Sequence, residues 1–258
     1  MAKRTQIGMN LLKILAQDGD RIFSTERASI LSKQLDINPS YLNEMLFLLK
    51  QNYWIHPIKK GLYYLDSTML VGGPIHEYEI GTALITPSMI SHFSAFHYHH
   101  LTDQIPQTIY ISTSKRLGSL VSIREINGIK YHLIQMKSEY FFGGTSIWIG
   151  EAKISICDLE RTLLDGLRNP QFCGGFSEVL TGYQMAQERI NLKKLINYAQ
   201  QLETATIKRL GWVLEYIGIS KKHLASLEKI AIKGFRKLDA NGDDFGPYNN
   251  KWNIRENL

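Results

Sequence analysis

Residues 39–65 read PSYLNEMLFLLKQNYWIHPIKKGLYYL, and this stretch decides how the first quarter of the chain folds. Asn38 and Pro39 predict a helix start, because proline suits the first helical position. The apolar side chains then recur at the spacing of one helical face, at Leu42, Met45, Leu46 and Leu49. A helix over residues 39–51 would therefore bury one face and turn a mixed polar and aromatic face outward.

Two short strands are predicted after this helix, at residues 53–55 and 62–65. Lys59, Lys60 and Gly61 lie between them as a basic turn that contains glycine. A helix followed by such a hairpin is typical of a winged helix-turn-helix, in which the helix reads duplex DNA and the hairpin touches the DNA backbone. The alternative is a generic three-helix domain with an incidental hairpin.

The residues before this stretch complete the pattern. Apolar periodicity predicts a helix over residues 5–17, and residues 21–23 are short enough for a small strand. Ser24 or Thr25 can cap a second helix, because a hydroxyl oxygen accepts from the free N–H groups of a first turn. We therefore predict a winged helix-turn-helix domain over residues 1–70.

Two kinds of DNA contact are expected from this domain. Ser40, Asn43 and Glu44 would meet base edges, whereas the lysines of the turn would meet phosphates. The predicted DNA-binding residues are Lys3, Arg4, Ser40, Tyr41, Asn43, Glu44, Phe47, Lys50, Lys59 and Lys60.

Composition sets limits on the class of protein. The chain has 258 residues and a net charge of +6, which permits nucleic-acid binding without requiring it. Residues 1–70 hold nine Lys/Arg and six Asp/Glu, so the positive charge is not concentrated there. No apolar run is long enough for a membrane span, and the first residues do not resemble a secretion signal. Two cysteines without ligand-like spacing fit a reducing compartment, so we expect a cytoplasmic protein.

Residues 75–258 are predicted to form a second domain. Helices are expected at residues 77–84 and 88–100, followed by strands at 107–112, 121–126, 129–136, 147–149 and 153–156. Asn127-Gly128 is a strong hairpin signal. Five helices are expected from Asp158 onward, and a polar tail from residue 237 is expected to lie extended, anchored by Trp252. The prediction is an α+β domain with a small antiparallel sheet and a C-terminal helical part.

Several groups of residues in the second domain are candidate sites. His92, His97, His99 and His100 lack the interleaved carboxylates of a metal site, so we expect solvent-facing imidazoles with one or two core contacts.

A metal-dependent nuclease is an alternative function. Its site would be formed by Glu151 and Lys153 with Asp103 or Glu139, although Gly150-Glu151 also resembles a hairpin turn. A protein-interaction module is a further alternative. No catalytic residues, metal or cofactor are expected. Basic groups that leave room for a second phosphate-contacting surface are Lys115-Arg116, Lys193-Lys194, Lys208-Arg209, Lys221-Lys222 and Lys233 with Arg236-Lys237.

The densest charged segment of the second domain is DLERTLLD, residues 158–165. On a helix, Arg161 is close enough to pair with Asp158 and with Asp165. We interpret the segment as a structural helix with an arginine–carboxylate network. The thiol of Cys157 beside Asp158 is expected to have a raised pKa, which disfavours a reactive thiolate.

Taken together, these segments resemble the AbiEi family, the antitoxins and transcriptional regulators of type IV toxin–antitoxin systems in phage defence. The D-L-E-R-T-L-x-D segment is the most specific match. The matching segments are residues 60–65 (KGLYYL), 91–101 (SHFSAFHYHHL), 109–112 (IYIS), 156–167 (ICDLERTLLDGL), 173–175 (CGG), 178–179 (EV), 208–211 (KRLG) and 251–257 (KWNIREN).

The resemblance implies a repressor that binds inverted repeats in the promoter of its own operon, alone or with self-association on DNA. It implies a second domain that counteracts a nucleotidyltransferase toxin without binding it. It also implies that Asp158, Glu160, Arg161, Asp165 and Trp252 are structural residues of the family motifs. Such families often carry arginines on the recognition helix, whereas this chain has Glu44 and Phe47 there.

Overall fold

A computed structural model describes residues 2–70, 73–118 and 121–258, with side chains from Gln6 onward. The chain divides into two compact units: Met1–Leu84 with Trp148–Lys153, and Ile85–Ile147 with Ile154–Leu258. Helices and strands are present in both units, so the chain is α+β. Within the described ranges, no helix combines the length and the apolar character that crossing a membrane requires.

The first unit begins with three helices and a three-stranded antiparallel sheet, which occupy residues 2–65. Strand order is β1-β3-β2, so the last strand lies in the middle. The predicted bounds of the third helix are confirmed, and so is Ser24 as the cap of the second, where its hydroxyl accepts from Arg27 N. The elements are α1 (Ala2–Gln17), β1 (Ile22–Ser24), α2 (Thr25–Gln34), α3 (Pro39–Gln51), β2 (Ile55–Lys59) and β3 (Leu62–Leu65).

The apolar stripe of α3 forms the centre of this unit. All four predicted positions are buried, and they pack in one cluster with residues of the first two helices and with Phe23 of β1. Because burial uses this whole stripe, the opposite face of α3 remains at the surface.

The first unit extends beyond the predicted boundary near residue 70. Helix α4 (Glu77–Ala83) belongs to it, because Arg21 Nε lies 3.2 Å from Glu79 Oε1 and Arg21 Nη2 donates to Pro74 O. Both contacts join residues more than 50 positions apart, and no local pattern indicates them.

The main sheet has six strands in the order β6-β7-β5-β4-β9-β8. It is mixed, so the prediction of an antiparallel sheet is wrong: β5 runs parallel to β7, and β4 runs parallel to β9. The chain passes from β5 to the edge strand and returns through Asn127-Gly128, both at positive φ, which makes β7 run along β5. The strands are β4 (Met89–Ile90), β5 (Thr108–Thr113), β6 (Ile123–Ile126), β7 (Ile129–Gln135), β8 (Gly144–Ile149) and β9 (Ala152–Cys157).

The predicted helix over residues 88–100 is wrong in its first four residues. Met89 and Ile90 form β4, which pairs with Ser112 and Ile111 of β5. Helix α5 (His92–Tyr98) begins only after this pairing, and His92 stands at a φ of 49°. Hydrogen bonding to a strand about 20 residues away thus overrides the local helical pattern.

Five helices and a short three-stranded sheet complete the second unit. Trp252 is completely buried and anchors the tail as predicted, although the tail also forms strands. Lys208 and Arg209 are buried in α9, so this basic pair is not part of a surface. The elements are α6 (Leu159–Arg168), α7 (Phe176–Ala186), α8 (Leu192–Ala199), α9 (Thr204–Tyr216), α10 (Lys221–Glu228), β10 (Arg236–Lys237), β11 (Tyr248–Asn249) and β12 (Ile254–Arg255).

Candidate nucleic-acid interface

Helix α3 starts at a well-formed cap. The side-chain oxygen of Asn38 accepts from Ser40 N at 3.0 Å and from the Ser40 hydroxyl at 2.9 Å, and Pro39 occupies the first turn. This arrangement satisfies one of the N–H groups that a helix start leaves without an intrahelical acceptor. The Ser40 hydroxyl keeps its acceptor capacity, because only its proton is used.

The outward face of α3 carries six of the predicted DNA-binding residues, among them Ser40, which is exposed. Phe47 is 54% exposed and Tyr41 is 47% exposed. Asn43, Glu44 and Lys50 are exposed as well. One acidic and one basic side chain leave this face without net charge, so its affinity for DNA cannot depend on attraction to phosphates alone.

The end of α3 differs from the prediction of a strand at residue 53. Tyr53 stands at a φ of 58°, and its N–H donates to Lys50 O, while Trp54 N donates to Leu49 O. These two bonds close the last turn of the helix in the left-handed manner common at helix ends. Strand β2 therefore begins at Ile55.

The turn between β2 and β3 presents one exposed lysine. Lys60 is at the surface and precedes Gly61, whose φ of 75° suits glycine. Lys59 is half-buried, and its Nζ donates to Leu84 O at 2.7 Å. The two lysines were predicted to be equivalent phosphate contacts, but they lie in different environments.

A partly buried hydrogen bond fixes the other end of this hairpin. His56 Nε2 lies 3.0 Å from Asp66 Oδ2, and the His56 ring stacks on Tyr64. The bond from His56, followed by those from the backbone and hydroxyl of Thr68, lowers the pKa of Asp66 to about 2.

The remaining predicted DNA contacts are Lys3 and Arg4. Both fall within α1, but their side chains lie outside the described residues.

Four of the five family-motif residues lie on or directly before α6, where Glu160, Arg161 and Asp165 are buried and Asp158 is partly buried. Asp158 caps the helix by accepting from Arg161 N at 2.9 Å. Lys194 Nζ binds Asp158 at 3.0 Å and Glu160 at 2.8 Å. The predicted pair of Arg161 with Asp165 is present at 2.8 Å, whereas Asp158 binds the backbone of Arg161 and not its guanidinium.

Arg161 and Asp165 are both completely buried. Burial raises the pKa of Asp165, but the charges of Arg161, His92 and Arg168, together with the hydrogen bond from Arg161, outweigh it and lower the pKa below its usual value. The Phe142 ring covers the guanidinium at 4.6 Å, and Arg161 Nε and Nη1 have no hydrogen-bond partner among the described residues. Burial, followed by the charge of Asp165, raises the pKa of the Cys157 thiol far above its usual value, so the predicted direction is confirmed, although the neighbouring Asp158 contributes less than either.

The structure gives little support to the alternative that the protein is a metal-dependent nuclease. Glu151 and Lys153 are exposed, and Glu151 lies in the turn between β8 and β9. Asp103 is exposed in a loop, and Glu139 lies 3.7 Å from Lys137. Across the described ranges, no three His, Cys, Asp or Glu side chains come together as metal ligands would.

The four histidines near α5 follow the prediction. His92 is buried in the core, where burial lowers its pKa to about 4. His99 is partly buried, with Nε2 2.7 Å from Cys157 O, and burial lowers its pKa too. His97 is half-buried and His100 is exposed at the surface.

Comparison with known proteins gives a likeness of fold. The crystal structure of the RV2827C protein from Mycobacterium tuberculosis superimposes with a TM-score of 0.69. The match covers 96% of this chain and 90% of that chain, at 11% sequence identity. No protein-family model matches the chain, and no curated protein matches it.

Proposed function

We propose that this protein is a DNA-binding transcriptional repressor whose first unit is a winged helix-turn-helix. The observation that carries the proposal is the outward face of α3, which is exposed and is followed along the chain by a hairpin whose two-residue turn presents Lys60 at the surface. A helix that buries one face in a small core and leaves the other at the surface has the form of a recognition helix.

In this proposal, α3 enters the major groove of duplex DNA. Asn43 and Glu44 face base edges, where an amide recognises adenine and a carboxylate accepts from the amino group of cytosine. Ser40 at the start of the helix also meets a base edge, and Tyr41 beside it lies close to the DNA backbone. Lys60 contacts a phosphate from the turn, and Lys50, Lys3 and Arg4 add further phosphate contacts.

The second unit carries the antitoxin role in this proposal, which rests on the resemblance to the AbiEi family. The protein would repress its own operon through inverted repeats in the promoter and would counteract a nucleotidyltransferase toxin without forming a complex with it. It would act in the cytoplasm. The buried motif residues of α6 would then hold the unit together and would not perform chemistry, because none of them is accessible.

Binding to the chain's own promoter tests the repressor role. We predict that Lys60→Ala weakens binding across all duplex sequences and reduces the slope of log K against log salt by about one unit, because one phosphate contact is lost. Lys59→Ala should leave the slope unchanged, because its ammonium is bound to Leu84 O. Fluorescence anisotropy at several salt concentrations measures both slopes.

Lys13→Ala is the matched control, since Lys13 is exposed on α1 about three turns from the end that carries Lys3 and Arg4. Equal slopes for wild type and Lys60→Ala would exclude the turn from the interface. Absence of any sequence-specific binding to the promoter would refute the repressor role.

A further inference from the structure

The outward face of α3 has an apolar centre. Phe47 is 54% exposed, and its helical neighbours three and four residues away are Asn43, Glu44, Lys50 and Gln51. All four neighbours are polar and exposed. An aromatic ring thus stands in the middle of a polar surface, although a polar residue there would interact better with water.

No structural role within the described part of the chain accounts for this ring. It is absent from the apolar cluster of the first unit, and it is not among the partly buried residues packed against that cluster. The buried stripe of α3 is supplied by other residues. Phe47 is therefore available for a partner that meets the centre of the helix face.

Duplex DNA offers one apolar group in the major groove, the 5-methyl group of thymine. A phenyl ring placed against guanine or adenine acceptors would desolvate them without returning a hydrogen bond, which costs free energy. A ring placed on a methyl group buries apolar surface on both sides and has no such cost. Asn43, one turn earlier, favours adenine by the same code.

We infer that Phe47 determines specificity by contacting the thymine methyl group at the centre of each half-site. This inference rests on the proposed function, since it assigns the base that the recognition helix reads. It also accounts for a helix face without arginine, because discrimination would come from shape and methyl contact in place of guanine recognition.

The test removes the methyl group from the DNA without altering base pairing. The full chain selects binding sites from a randomised duplex pool, and each thymine of the selected site is then replaced by deoxyuridine. Wild type should lose about fourfold in affinity at one position of each half-site, which corresponds to burial of one methyl group. Phe47→Ala should bind more weakly and should lose this sensitivity, so that the two changes are not additive.

Two further variants control the experiment. Phe47→Leu should keep part of the sensitivity, because leucine also buries a methyl group. Tyr53→Ala should keep all of it, since Tyr53 is 76% exposed but lies beyond the end of α3.

The outcomes separate the inference from the proposed function. Selection of a defined site that tolerates deoxyuridine everywhere would overturn the inference and leave the repressor role standing. Sensitivity that persists in Phe47→Ala would also overturn it, because another residue would then contact the methyl group. Failure to select any duplex would overturn the proposed function itself.

Discussion

Arg161 and Asp165 illustrate how a charged pair can belong to the core. Both side chains are completely buried, and the pair lies on one face of α6 at a spacing of four residues. Desolvation of two charges in the interior is expensive, so such a pair adds little net stability, but removal of one partner leaves an uncompensated charge.

We therefore predict that Arg161→Met lowers the free energy of unfolding by about 3–5 kcal/mol, because Asp165 is left buried without its main partner. The double variant Arg161→Met/Asp165→Leu should recover most of this loss, since neither charge remains. Denaturant unfolding followed by circular dichroism measures both values.

An exposed ion pair gives the contrast. Arg255 Nη1 lies 2.6 Å from Asp244 Oδ1, but the Asp244 side chain is largely in solvent, so Asp244→Ala should cost less than about 1 kcal/mol.

The buried pair has its own decisive outcome. A double variant at Arg161 and Asp165 that is no more stable than Arg161→Met alone would show that the pair has a specific packing role.

His92 makes the stability of the second unit depend on pH. Burial lowers its pKa from 6.5 to about 4, with Asp165 opposing and Arg161 and Arg168 reinforcing this shift. Between these two values the unfolded chain binds a proton that the folded chain does not. The contribution of neutral His92 to the free energy of unfolding is therefore present above pH 6.5 and is lost as the pH falls toward 4.

We predict that protonation of His92 lowers the free energy of unfolding of the wild type by on the order of 2–3 kcal/mol across this pH range. The variant His92→Asn should not show this decrease. Asparagine suits the positive φ of the position. Unfolding curves between pH 7 and pH 4 measure the difference. Part of the pH dependence should persist in the variant, because burial also lowers the pKa of His99 and His132. Parallel profiles for the two proteins would contradict the prediction.

At the scale of single residues, sequence reasoning worked where the partner is local. Arg161 and Asp165 are four positions apart, so their pairing could be predicted. Lys59 binds a carbonyl 25 positions away, and Arg21 binds a carboxylate 58 positions away. Nothing near either residue in the chain indicates its partner.

Helices α3 and α9 differ in how much of their structure is determined by their own residues. Helix α3 was predicted to the residue because its cap, its proline and its apolar period all lie within it. The packing of α9 depends instead on the tail: a Cβ built on Gly211 would lie 2.0 Å from Trp252 Cζ3. The indole also donates to Glu215 Oε2 at 2.7 Å, so Trp252 cannot easily move.

We predict that Gly211→Ala has opposite effects in two backgrounds. In the wild type it should cost about 3 kcal/mol, because the new methyl group overlaps a buried ring. In Trp252→Ala it should stabilise by about 0.5–1 kcal/mol, because alanine is the better helix former once the ring is gone. Thermal and denaturant unfolding of the four proteins measure this double-mutant cycle. The same sign in both backgrounds would show that Trp252 can be displaced at little cost.

The main sheet contains strands that can be predicted from the sequence and one strand that cannot. The Asn127-Gly128 hairpin was predicted because its signal is contained in two residues. The strand Met89–Ile90 was not, because two residues carry no period, and the strand exists only through its neighbours β5 and β9. A sheet assembled from distant segments cannot be deduced from any one of them.

The division of the whole molecule into two units allows two roles to be separated. The exposed residues proposed to bind DNA lie in the first unit, and the buried family-motif residues lie in the second. Asn43 and Lys60 are both at the surface, so their replacement should not disturb either core.

If the protein has the two proposed roles, we predict that Asn43→Ala/Lys60→Ala abolishes the proposed repression and leaves the proposed antitoxin action intact. Loss of one base contact and one phosphate contact should weaken DNA binding at least tenfold, whereas the second unit is unchanged. A reporter fused to the chain's own promoter measures repression. Growth during co-expression with the proposed partner, a nucleotidyltransferase toxin, each gene under an independent promoter, measures antitoxin action. Lys13→Ala should retain both. If the double variant loses repression and antitoxin action together, the antitoxin role itself depends on DNA binding, and the assignment of one role to each unit is wrong.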